Sequence, residues 1–217
     1  EVDLQATPSW EEVRRMVEDC DDPDLLEAIQ YTFPSPFVEP GRSLADYARR
    51  CFIPGAPVLA AARALCALIH KEFTYKPNST RIDTPLEEVF ANRRGVCQDF
   101  AQIMIGSLRS LGLPARYVSG YLRSAANYVG AEASHAWVSL FVPGSGWHDF
   151  DPTNNVIPSG GHVTVAWGRD YGDVTPVKGV TLGSGEHTVT VAVRVEPIPE
   201  FSPHAPFGSA GSPADRR

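Results

Sequence analysis

A thiol, an imidazole and a carboxylate that can act together occur in one chain order. Cys97 lies in Arg94-Gly95-Val96-Cys97-Gln98-Asp99-Phe100-Ala101, His135 in Ser134-His135-Ala136-Trp137, and Asp151 in Gly146-Trp147-His148-Asp149-Phe150-Asp151-Pro152-Thr153-Asn154. After Cys97, Phe100, Ala101, Met104, Ile105, Leu108 and Leu111 recur at helical spacing, and Gly95 fits the end of the helix before it, so Cys97 is predicted to open a half-buried helix. Unpaired N–H groups and the positive end of the helix dipole there favour the thiolate. Period-two geometry puts His135, Trp137, Ser139 and Phe141 on one face of a strand, and Trp147, Asp149 and Asp151 on one face of the next. If these strands pair and the Cys97 helix packs across them, the carboxylate fixes the ring tautomer and the ring takes the thiol proton.

Each residue also has an ordinary structural explanation. A cysteine at the start of an amphipathic helix serves as a small buried hydrophobe, a strand histidine as a hydrogen-bonded core residue, and an aspartate before Pro-Thr as a turn former. Only the joint order and the neighbours of all three favour chemistry. Asp149 lies deeper in its strand than Asp151, His148 faces the other way, Asp99 reads as a first-turn residue on the helix dipole, and Cys66 sits on a core stripe. Trp137, Trp147, Tyr117 and Tyr121 either fill the core or line an apolar approach to an acyl intermediate.

Helices must come first and strands later to position these groups. Ser9-Trp10-Glu11-Glu12 is a capping-box pattern, Pro23 opens a second helix, Ser43 caps a third through Arg50, and a longer helix runs from about Pro57 to Phe73. Thr84-Pro85-Leu86-Glu87 reads as the start of the helix before Cys97, with Thr84 as cap. Ala115 to Leu122, Ser134 to Val142 and Trp147 to Asp151 read as strands, and Glu186 to Glu196 as part of a hairpin. The expected organisation is a helical lead-in over 1–50, a catalytic unit over 51–196, and a frayed Pro-, Gly- and Ser-rich tail over 197–217, and Glu1 in place of a Met start reads as the beginning of a processed or excised piece.

With 217 residues, 43% of them hydrophobic, the chain has globular composition. A net charge of −7 with scattered arginines argues against nucleic acid or an anionic membrane as partner, and no apolar run approaches the roughly 20 residues of a membrane span. Cys20, Cys51, Cys66 and Cys97 show no CxxC spacing, which fits a reducing, cytoplasmic setting. His70, His162, His187 and His204 carry no HExxH pattern and no acidic EF-hand loop is present, so no metal and no other cofactor is expected.

The Cys97, His135 and Asp151 blocks, together with Leu113-Pro114-Ala115-Arg116-Tyr117-Val118-Ser119-Gly120-Tyr121, resemble the four signature blocks of the transglutaminase-like superfamily of bacterial proteins, closely over about Phe52 to Asn155. The resemblance implies a papain-like α+β fold with the cysteine helix packed on an antiparallel sheet, and, since bacterial members often carry a β-rich region before the helical segment, a lead-in over 1–50 that is the end of a truncated N-terminal region. It also implies Cys97 as nucleophile, His135 as general base and acid, and Asp151 as the residue orienting His135. The implied partners are a protein or peptide bearing a glutamine or other amide, and a primary amine or lysine as acceptor. Two alternatives stay open: a cysteine peptidase or amidase using the same residues, and a non-catalytic binding or scaffold domain.

Overall fold

The computed structural model describes residues 3–19, 23–123, 128–131, 133–175, 179 and 192–195. Six helices precede a four-stranded antiparallel sheet. They are α1 (Trp10–Glu18), α2 (Pro23–Ile29), α3 (Arg42–Ala48), α4 (Val58–Glu72), α5 (Leu86–Asn92) and α6 (Cys97–Arg109). Between α4 and α6, two short strands, β1 (Thr74–Tyr75) and β2 (Arg94–Gly95), pair in parallel, and the sheet is formed by β3 (Ala115–Leu122), β4 (His135–Val142), β5 (Gly146–Phe150) and β6 (His162–Gly168) in the order β5-β4-β3-β6.

The α1 capping box forms as the sequence predicts, with Ser9 and Glu12 satisfying each other's backbone N–H. The next two starts differ. Gly41, and not Ser43, occupies the cap of α3, and α5 begins after Pro85 while Thr84 instead accepts the N–H of Arg81 at 2.8 Å in a preceding turn. The left-handed residue that ends α5 is Arg93 (φ 51°), not Gly95. A non-glycine residue there costs about 1 kcal/mol, which stacking offsets: its guanidinium lies 4.0 Å from the Phe90 ring centroid and 4.8 Å from those of Phe73 and Tyr47.

The core lies between the helices and one face of the sheet. Leu59, Leu65 and Ile69 of α4, Phe100, Ile103, Met104 and Leu108 of α6, and Val138 and Leu140 of β4 belong to one buried cluster, which Val13, Val38, Leu44 and Tyr47 of the lead-in join. Burial of each large side chain stabilises the fold by about 1.5–3 kcal/mol relative to exposure. The α6 helix is buried on every side from Asp99 to Arg109, more than its amphipathic pattern predicts, because β3 and β4 cover one face and α3, α4 and α5 the rest.

Strand β4 is one of the two inner strands of the sheet and all eight of its residues are buried. On the face turned from α6, Trp137 lies over Gly120: a Cβ at position 120 would sit 2.5 Å from the end of the indole and would also strike the carbonyl of Val163. The β3–β6 register shifts at this glycine. The predicted hairpin over 186–196 and the tail lie outside the described residues, except 192–195, which carry no regular structure. No helix among the described residues is long and apolar enough to cross a membrane.

Candidate active site

Cys97 is the first residue of α6, and its position is fixed from two sides. Asp99, two residues on, folds back so that Oδ2 accepts the Val96 N–H at 2.7 Å and the Thr80 hydroxyl at 2.6 Å. Gly95 supplies the space: a Cβ there would lie 2.5 Å from Asp99 Oδ2. Asp99 therefore builds the helix start, as its first-turn position predicts, and burial raises its carboxyl against the two hydrogen bonds.

His135 opens β4, and Asp151 follows β5 directly, its backbone bridged to Val156. The ring and the carboxylate meet through His135 Nε2 and Asp151 Oδ2 at 2.8 Å, both side chains fully buried. Asp151 carries both roles that its sequence context allows. Oδ1 accepts the N–H groups of Thr153 at 2.9 Å and Asn154 at 3.1 Å, making the turn, while Oδ2 accepts from His135, from Asn154 Nδ2 at 2.9 Å and from His162 Nε2 at 3.1 Å. The loop is held from behind by α4: the His70 ring bonds the Thr153 carbonyl at 2.9 Å, and Arg63 reaches the Asn155 carbonyl at 3.0 Å.

Electrostatics follow from this geometry. Burial would raise the Asp151 carboxyl, but the hydrogen bonds from His135 and His162 hold it well below the usual carboxylate range. An ionised carboxylate only accepts, so His135 carries its proton on Nε2 and Nδ1 is the nitrogen left for a second partner. Burial pushes His135 down, yet its bond to Asp151 and the adjacent Cys97 thiol outweigh this and raise it to about 9. Nδ1 is buried on the side of the Cys97 thiol. A ring held by a carboxylate, with a proton affinity above that of an ordinary imidazole, draws the proton from the sulfur beside it and leaves the thiolate as nucleophile.

Both shifts bear on stability, with opposite signs. His135 binds its proton more tightly in the native state than at its ordinary value of 6.5, so its contribution is complete below that pH and is lost as pH rises through about 9. The Asp151 contribution is present above its ordinary value of 3.8 and is lost as pH falls through the depressed native value. Thermal melts are expected to show a stability loss of roughly 1–3 kcal/mol between neutral pH and pH 9, and His135→Gln should flatten that limb. An equal alkaline decline in both proteins would remove His135 as its cause.

The model of the transglutaminase-like superfamily matches residues 45–152, which contain all three groups. The chain belongs to that superfamily. An uncharacterized protein of Mycobacterium tuberculosis is 38% identical over 173 residues, covering 75% of this chain and 55% of the relative. A protein-glutamine gamma-glutamyltransferase of Pseudomonas aeruginosa is 37% identical over 125 residues, covering 54% of this chain and 18% of that protein. The crystal structure of a "putative cysteine protease" from Cytophaga hutchinsonii superposes with a TM-score of 0.63 at 29% identity, over 78% of this chain and 55% of that one. This chain thus spans about half the length of the mycobacterial relative. The helix-on-antiparallel-sheet arrangement is the papain-like α+β fold of the family.

Within this transglutaminase-like core, the other sequence candidates are engaged elsewhere or buried. Asp149 accepts the Trp137 indole N–H at 3.1 Å, and His148 bonds the Ser145 hydroxyl at 2.8 Å. Burial pushes the Cys66 thiol up to about 12, and raises Cys51 as well. Cys20 lies outside the described residues. Of the four aromatic residues, Trp137 and Tyr117 are buried, Trp147 packs against Tyr31, Phe141 and Arg116, and Tyr121 is half-buried on β3.

Sequence reasoning missed His162, Asn154, His70 and Arg63, and with His162 the whole of β6. Its signal was present in the alternation of Val163, Val165 and Trp167. His135, Asp151 and His162 are the one group of three possible metal ligands among the described residues. Three N–H groups are aimed at the shared oxygen Oδ2, a donor set suited to stabilising a carboxylate and not to enclosing a cation.

Proposed function

We propose that the chain is a transglutaminase-like thiol acyltransferase acting on glutamine or another amide carbonyl. The observation that carries this reading is the buried His135–Asp151 pair beside Cys97 at the start of α6. Cys97 Sγ passes its proton to His135 Nδ1 and attacks the carbonyl carbon. The Cys97 N–H, at the first helical position where no carbonyl four residues back can take it, faces the oxygen that becomes negative. Collapse of the tetrahedral species breaks the C–N bond, and the leaving ammonia or amine takes the proton from His135. The thioester is then resolved by a second nucleophile, deprotonated by the same nitrogen.

Transfer to an amine is favoured by the name of the Pseudomonas relative, and the cysteine peptidase or amidase reading by that of the Cytophaga structure. The partition ratio separates them. A Gln peptide incubated with increasing primary amine should give amide product that rises and saturates, and Cys97→Ala should give none. Free acid at every amine concentration, or cleavage of the peptide backbone, selects the hydrolase. Product formed by Cys97→Ala ends the thiol reading.

A further inference from the structure

His162 has no place in the three-residue scheme, yet it is fixed as closely as His135. Its side chain is 2% exposed, its ring packs edge-on to Trp137 at 5.3 Å and to Tyr128 at 5.2 Å, and its Nε2 lies 3.1 Å from Asp151 Oδ2. Its Nδ1 is buried without a partner among the described residues. Among those residues the ring's one polar contact is the oxygen that orients His135.

Geometry alone does not require it. Oδ1 is tied by two backbone N–H groups and Oδ2 by Asn154, so the turn and the carboxylate orientation are set without His162. What a further N–H on Oδ2 changes is the charge available to His135, because donors on one oxygen share its accepting capacity.

We propose that His162 is a positioning residue of the active site, dividing Asp151 Oδ2 with His135 so that the His135 ring releases its proton to the leaving group instead of retaining it. This rests on the catalytic reading of Cys97, His135 and Asp151 above. The titratable groups facing His135 among the described residues are Cys97 from α6, Asp151 from the loop after β5, His162 from β6, and the Tyr75 hydroxyl from β1 across Gly130, and the Asn154 amide lies 3.4 Å from its Nε2. Of the titratable groups, His162 is the one besides His135 itself that bonds Asp151 Oδ2.

The test is a histidine-selective NMR titration of His135 in the wild-type chain, in His162→Phe, which fills the space without a donor, and in His162→Gln, which returns an N–H to the same place. His162→Met replaces the Phe variant if the larger ring prevents folding. The expected result is a His135 midpoint raised by roughly half a pH unit or more without the donor, and restored to the wild-type position by Gln. An unchanged or lowered midpoint in the donorless variant, or a Gln variant that behaves like it, overturns the proposal. The titration needs no substrate, so its failure is distinct from failure of the Cys97 assignment, which the amine-partition assay reports.

Discussion

Asp151→Asn is expected to lower turnover of an amide substrate by roughly three to four orders of magnitude, with the fold intact. The amide oxygen of Asn takes the place of Oδ1, where two backbone N–H groups require an acceptor, and this turns its NH2 toward the place of Oδ2. Three donors already point there, from His135, Asn154 and His162. His135 can relieve the clash by moving its proton to Nδ1, and that tautomer no longer accepts the Cys97 proton. Asp149→Asn keeps an oxygen for the Trp137 indole and should cost less than about tenfold. Initial rates at saturating Gln peptide, with melting curves as the control, check both. A larger loss at position 149 than at 151 rejects the assignment.

Gly120→Ala is expected to destabilise the protein by roughly 3 kcal/mol or more, lowering Tm by about 6–12 °C. The added Cβ meets the Val163 carbonyl and the Trp137 ring at once, and neither can withdraw: the carbonyl belongs to β6, and the indole is buried and tied to Asp149. Because Trp137 also packs against His135 and His162, the residual folded protein should be less active as well. Gly160→Ala, where nothing lies within 4 Å of the new atom, should stay within about 0.5 kcal/mol of wild type. Similar melting for the two variants would show that the sheet accommodates the methyl group.

The long periodic elements were legible in the sequence because burial dictated their pattern: α4 differs from expectation by one residue at each end, and β3 and β4 begin and end almost where alternation places them. The three candidate groups were legible as well, since their order and neighbours carry a specific signature. Helix starts were less so. Gly41 and Pro85 occupy the caps that Ser43 and Thr84 were expected to fill, because tertiary contacts settled which first turn forms. Gly95 looks like a helix terminator in the sequence, whereas its absent side chain is what admits Asp99. His162 was illegible as a site residue because it reaches Asp151 only across the sheet, from the strand on the far side of β3. No local spacing encodes such a contact.

Arg109, at the end of α6, adds a constraint on how the molecule can open. Its guanidinium is buried and gives every one of its N–H groups to an oxygen: the Phe33 carbonyl, the Ser35 hydroxyl, the Ala115 carbonyl twice, and the Arg169 carbonyl. Detaching the segment around Phe33 and Ser35 while the sheet stays folded would leave a cation half-solvated against apolar neighbours, a cost of several kcal/mol. The segment around Phe33 and Ser35 is therefore coupled to the strands through one side chain. Its opening is expected to break contacts of the helix bearing the thiol and of the turn after β6 at the same time, which makes all three parts of one cooperative unit.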